Sequence, residues 1–402
     1  MKNTGITFIL LILIAINLPL FAQKAIASDI ELYRKTISEK HKNPFLYVSK
    51  NKFDKQIDRL VSNSPKLNKA QVVVNLLKIN AQISDEHTMV LPNASFKFPL
   101  KLKVFDDAVL IVSSDSIHKK LLLHKIVAIN DKPIQQVLDS LKTLVKKDNL
   151  SYTTFFQEYY INNTLILNGL GILEDYNEVS LKLMSQKGKE IKTNLPLVTN
   201  ETNIDFENPY TYTKILAYKS RSNYWYAFDE NNNVLYFNYQ RCAENPDKPF
   251  SDFNKDLFST IDNLKPTKFI LDLRFNSGGN SSVLKPFIAS IQQSYLNENG
   301  RFYVLIGKKV MSSSLMNAIE IKKKTNAIFI GQPTGGNINH FGEITDFQLP
   351  HLNARVTYST KYWENWKNHK GALKPDILAS NTTSDFVNGI DRSIKTVYEL
   401  RD

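Results

Sequence analysis

Phe269-Ile-Leu-Asp-Leu-Arg-Phe-Asn-Ser-Gly-Gly-Asn280 begins as a buried strand and ends as a turn. Its apolar run gives way to Asp272, Arg274 and Asn276, and Gly278-Gly279 then lead into a helix expected over Ser281–Ser294. Glycines at such a turn let the backbone present its amide hydrogens at a helix amino terminus, where partial positive charge favours an anion. The same geometry is expected once more downstream. A strand over Phe302–Ile306 runs through Gly307-Lys-Lys-Val-Met311 into Ser312-Ser313-Ser314, where a helix over Ser312–Lys324 begins. Serine there either caps the helix or offers a nucleophilic hydroxyl, the next amide helping to hold an oxyanion. Two strand-to-helix junctions of one parallel sheet place their donors on the same edge, where such sites form.

Working outward, further strands are expected at Val234–Asn238, Ala327–Ile330 and Ala354–Ser359, with a helix over Ser251–Leu264. Repeated strand–helix–strand units imply an α/β fold, a mostly parallel sheet with helices packed on it, spanning 204–402. The polar stretch Thr199-Asn-Glu-Thr-Asn203 marks its boundary. Before it, 95–199 reads as β-rich, with strands at Ala108–Val112, Lys125–Ile129 and Glu178–Leu183 and a helix from Ile134 to Leu144. Residues 28–94 read as helical, since Leu60, Val61, Val72–Val74, Leu76, Leu77 and Ile79 recur at spacings of three and four.

The first 27 residues carry Lys2, the apolar run Ile6–Ile16, a break at Asn17-Leu-Pro19, and small residues at Ala22 and at Ala25-Ile-Ala27. That pattern is a secretory signal peptide cleaved after Ala22 or Ala27, so a secreted or periplasmic protein is expected, without stable membrane insertion. The chain has 402 residues, 42% of them hydrophobic and 22% charged, which excludes a disordered tail protein and a collagen-like repeat. One cysteine, Cys242, excludes a disulfide scaffold and a thiolate zinc site. The net charge of +12 is spread among acids rather than gathered in a patch, so no nucleic-acid partner is expected. No metal or other cofactor is expected.

A nucleophilic serine needs a base. His87, within Ser84-Asp85-Glu86-His87-Thr88, has hydroxyl and carboxylate neighbours that can fix its tautomer. His340 lies on a glycine-rich loop after the strand that follows the serine helix. His41, His118, His124, His351 and His369 have no second polar feature beside them.

Together, Asp272-Leu-Arg274-x-Asn276-x-Gly278-Gly279, the serine junction and Gly331-Gln-Pro-Thr-Gly335-Gly336 resemble the tail-specific, or C-terminal-processing, serine proteases. That family includes the tricorn core protease and relatives among retinoid-binding proteins. The resemblance extends to Asp85-Glu-His87-Thr88 and to Lys374-Pro-Asp-Ile377. It implies a crotonase-like spiral of strand–helix units and a serine peptidase acting on a peptide or protein. The family nucleophile lies nineteen residues before the glycine opening Gly-x-Pro-Thr, which is Ser312, with Ser313 one register away. Oxyanion donors would be the amides of Ser313 and of Gly278 or Gly279. The lysine base of the Ser–Lys branch is replaced by Asn337; the tricorn-like branch uses a histidine that His87 matches. Glu86 stands where that branch has a serine, which leaves Glu364, Glu343 and Asp376 as groups to orient the histidine. Lys125–Leu138 resembles part of a PDZ domain, without its carboxylate-binding loop. The alternative is a catalytically inactive relative that binds a peptide or an apolar ligand.

Overall fold

A computed structural model describes residues 24–400. The apolar run of the expected signal peptide lies outside the described residues, whereas Ala25 and Ala27 fall in a helix over 24–40. Among the described residues no helix is long and apolar enough to cross a membrane.

The carboxy-terminal half is built on six strands that add side by side in chain order: Tyr224–Asp229, Val234–Tyr239, Lys268–Asp272, Phe302–Ile306, Ile328–Gly331 and Ile377–Leu378. The first pair is antiparallel and the rest are parallel. Alternate side chains point to opposite faces. Phe269, Leu271, Phe302 and Val304 meet Phe253, Leu257, Phe287 and Leu315, which come from the helices Phe250–Leu264, Lys285–Gln292 and Ser312–Lys324. On the other face Ile270, Tyr303, Leu305 and Ile330 meet Ile394 and Val397 of the helix Arg392–Glu399. Helices on both faces explain why these strands read as unbroken apolar runs.

A second core joins the amino-terminal helices to the middle segment. Ile30 and Tyr33, Phe53 and Ile57 of Lys50–Asn63, and Val73 and Leu76 of Lys69–Asn80 share it with Leu102, Ile111, Ile126, Phe156 and Leu181. The middle strands Leu100–Val104, Val109–Ser114, Lys125–Ile129, Glu178–Met184 and Glu190–Pro196 form one antiparallel sheet.

A third sheet ties the two ends of the chain together. Ala354–Trp363 lies between Met89–Pro92 and His340–Leu349, antiparallel to both, with Val90 opposite Val356. Ala354–Ser359, expected in the parallel series, therefore belongs elsewhere: Ala354, Val356 and Tyr358 turn into the second core. Two more segments differ from expectation. His340 opens a strand instead of sitting on a loop, and 95–199 contains the helices Leu150–Ile161 and Thr164–Gly169, capped by the side chains of Asn149 and Asn163.

Candidate active site

Ser312 is the first residue of its helix and holds a left-handed backbone, φ 52°. An L-residue in that region costs about 1–3 kcal/mol, and strain of this kind persists where the surroundings over-determine it. Here the surroundings are a glycine. A Cβ on Gly278, whose φ is 114°, would stand 2.9 Å from the Ser312 Cβ and 3.2 Å from the Ser313 nitrogen. The two strand-to-helix junctions thus touch, as their shared sheet edge requires.

The three serines of the junction have different fates. Ser313 is buried and its hydroxyl donates to the Gly279 carbonyl at 2.6 Å. The Ser314 hydroxyl is buried without a partner. Ser312 is partly exposed, and its hydroxyl makes no hydrogen bond among the described residues. The glycines also divide. Gly278 spends its amide on the Asn276 side chain at 2.9 Å, and Asn276 is itself held by the Tyr239 carbonyl. Gly279 is pinned through its neighbours, since Cys242 donates to the Gly278 carbonyl and accepts from Asn280. Its own amide, like that of Ser313, meets no acceptor among the described residues. Two N–H groups without an acceptor therefore lie at the junction that carries Ser312. Burial pushes the Cys242 thiol up to about 11, which leaves it protonated and inert.

His87 is seated by its backbone. Asp85 accepts from the His87 amide (2.9 Å), from the Thr88 hydroxyl (2.6 Å) and from His41 Nε2 (3.0 Å). His41 Nδ1 accepts the Asn43 amide, so Nε2 carries the proton given to Asp85. Burial opposes ionisation of Asp85, but the His41 hydrogen bond, the nearby His87 ring and the Thr88 hydroxyl hold its carboxyl below the usual 3.8. The Thr357 hydroxyl donates to the His87 carbonyl at 2.6 Å. Of the ring nitrogens of His87, Nδ1 is buried without a partner.

The His340 ring lies beside it, 5.6 Å between centroids. Its Nδ1 faces the Asn337 carbonyl at 2.8 Å; a carbonyl only accepts, so Nδ1 carries the proton and Nε2 is the basic nitrogen. Burial, offset by Glu86, holds the His340 imidazole below its ordinary 6.5.

Glu86 connects the histidines to the serine. A Cβ on Gly336 would lie 3.0 Å from Glu86 Oε1, from the Met311 Cα and from Leu315 Cδ2, which puts that carboxylate at the mouth of the serine helix. Its Oε2 accepts from the Asn337 amide at 2.9 Å, with Lys146 Nζ 3.9 Å away. The Asn337 side chain also donates to Asp148, and the side-chain Nδ2 of Asn149 lies within bonding distance of Thr334 O, Gly335 O and Asn337 Oδ1.

None of the carboxylates expected to orient a histidine is bonded to an imidazole among the described residues. Asp376 is paired with Lys322 and accepts from the Phe329 amide. Glu343 and Glu364 are exposed, and neither makes a hydrogen bond or ion pair to an imidazole. Sequence reasoning missed His41, Lys146, Asn149 and the partnership of Asn276 with Gly278. The last had a signal, since asparagine two residues before a glycine favours a side-chain-to-backbone turn; the others meet the site only through the fold.

Neither a protein-family model nor a curated protein matches the sequence. Solved structures do. Mature CPAF complexed with lactacystin aligns with a TM-score of 0.65 at 11% identity, covering 94% of this chain and 97% of that one. Mature CPAF alone aligns at 0.64 and 12%, covering 94% and 96%. The tricorn protease aligns more loosely, with a TM-score of 0.44 at 11% identity over 94% of this chain and 36% of its own. With two core layers, a parallel sheet and nearly full mutual coverage of CPAF, the chain shares the mixed α/β fold of mature CPAF.

Proposed function

We propose that this chain is a serine peptidase that cleaves peptide bonds by acyl transfer. The observation that carries the reading is Ser312: a strained, partly exposed residue whose hydroxyl has no partner, packed on Gly278 at a junction where the amides of Ser313 and Gly279 are unengaged. The likeness to CPAF supports the fold such a site needs. Ser312 Oγ attacks the carbonyl carbon while His87 Nε2 takes its proton. The two amides hold the oxyanion, each donor of this kind contributing about 2.7–4 kcal/mol. The carbon–nitrogen bond then breaks as the imidazolium returns the proton to the leaving amine, and water cleaves the acyl ester.

A second reading makes His340 the base, favoured by the fixed tautomer that the Asn337 carbonyl imposes. Fluorophosphonate labelling with peptide mapping decides. Label on Ser312, lost in Ser312→Ala and retained in Ser313→Ala, supports the peptidase; no label, with no peptide cleaved, leaves an inactive peptide-binding relative. Whichever of His87→Gln and His340→Gln abolishes labelling identifies the base. Loss of the serine is expected to lower kcat by about 10⁴-fold or more. Export to the cell envelope belongs to the same proposal and rests on the signal-like segment; mass determination of the mature amino terminus tests it.

A further inference from the structure

Three residues before Ser312 and three before Gly278, Lys309 and Phe275 line two adjoining cavities between the middle segment and the carboxyl edge of the parallel sheet. The larger encloses about 660 Å³ and the smaller about 110 Å³. They share Lys103, Ala217, Tyr218, Phe275 and Lys309 and form one cleft.

The cleft is strongly cationic. Lys97, Lys101, Lys103, Arg221 and Lys309 line the larger cavity against two acids, Glu158 and Glu207. Both acids are already engaged: Glu207 pairs with Lys119, and Glu158 sits 3.2 Å from Lys308 Nζ and 3.7 Å from Lys309 Nζ. Of the five cations only Lys309 is in an ion pair with a carboxylate among the described residues. Lys101 instead places its ammonium 4.3 Å over the Phe206 ring, and Lys103 and Lys309 both approach Phe275, at 5.9 and 5.7 Å.

Glu158 shows what the inner end of the cleft accepts. Its side chain and that of Lys308 are each 14% exposed, and one carboxylate faces Lys103, Lys308 and Lys309. Burial would raise Glu158, but the three lysines bring it down to about 2. Lys308 and Lys309 are lowered, first by burial and then, against the pull of Glu158, by crowding from Lys103. Lys103 is itself raised, against burial, by Tyr218 and Glu158, so the under-compensated cations are Lys308 and Lys309. A second carboxylate would relieve ammonium groups whose burial is only partly offset.

We propose that this cleft binds a carboxylate of the substrate, either the free carboxyl terminus of a peptide or an acidic side chain. Lys309 anchors it, with Lys103 and Lys101 along the wall. Lys309 is three residues from Ser312, at most about 10 Å of extended chain. With the reach of the lysine side chain added, the bound carboxylate stands within about six peptide residues of the bond that Ser312 attacks. The inference rests on the peptidase reading for its geometry, but binding can be measured without turnover.

The test uses the full chain carrying Ser312→Ala and three fluorescent peptides of one apolar sequence: a free carboxyl terminus, a terminal amide, and a terminal amide with one internal glutamate. Fluorescence anisotropy is expected to show the first or third peptide binding about tenfold more tightly than the neutral amide. Which of them does so identifies the source of the carboxylate. Lys309→Gln is expected to erase the difference, 0.5 M salt to shrink it, and Glu158→Gln to widen it by removing the internal competitor. Should Glu158→Gln fail to fold, Lys101→Gln on the exposed wall replaces it and is expected to narrow the difference. Equal binding of all three peptides, or a preference untouched by Lys309→Gln, overturns the proposal. If Ser312 takes no fluorophosphonate while the lysine-dependent preference holds, the peptidase reading fails and the carboxylate site stands. If Ser312 is labelled and the peptides bind alike, the reverse is true.

Discussion

At the scale of single residues, Gly278 shows how closely backbone and chemistry are coupled. Its φ of 114° is open to glycine alone, and a methyl group there would press on the Ser312 Cβ and the Ser313 amide at once. Gly278→Ala is therefore expected to lose about 2 kcal/mol or more of stability and all fluorophosphonate labelling. A thermal melt beside a labelling assay checks both. A variant that labels normally would show that the turn can relax without moving the hydroxyl. The neighbouring Gly279, with its amide free and its carbonyl taken by Ser313, was legible in the sequence only as half of a Gly-Gly pair. Which of two adjacent glycines donates depends on what its neighbour has already bonded, and here the Asn276 carboxamide decides it.

Among elements, the short segment before Leu150–Ile161 does more than begin a helix. Asn149 caps it through the Tyr152 amide and at the same time reaches Thr334, Gly335 and Asn337 on the loop next to the serine helix. Asn149→Ala removes a cap and strips partners from buried carbonyls, for an expected loss of about 2–4 kcal/mol. Urea unfolding measures it, and the hydrolysis rate should fall with the loop's order. Buried runs such as Phe302–Ile306 announce a parallel strand because both faces are covered. The helix Leu150–Ile161 did not announce itself: its Tyr, Thr and Phe residues favour strands, and tertiary packing overrides them. His340–Leu349 escaped notice because it is an edge strand whose run from Glu343 to Asp346 is exposed, with no alternation to read.

For the molecule as a whole, the burial of His340 and the hydrogen bonds and nearby His87 ring around Asp85 make stability depend on pH in two separate windows. His340 is held below 6.5, so as pH falls under that value the unfolded chain binds a proton the folded chain refuses, and stability declines. Asp85 is depressed below 3.8; its contribution is intact above that pH and is lost as pH drops toward the folded value. Denaturation series from neutrality to about pH 3 should show both declines, the first flattened by His340→Gln and the second by Asp85→Asn. A single decline unaffected by His340→Gln would show that the imidazole titrates as it does in the unfolded chain. The pairing of His41 with Asp85 behind the second window was invisible in sequence, since 44 positions separate the two residues and neither sits in a shared motif.

The third sheet has a consequence for biosynthesis. Thr357 supports the carbonyl of His87, and the strand carrying Thr357 is what Met89–Pro92 pairs with. A ribosome must therefore finish nearly nine-tenths of the polypeptide before that imidazole can be seated opposite its hydroxyl. Under the proposed peptidase function, the nascent chain then has no assembled machinery with which to cut the cell while that cell is still making it.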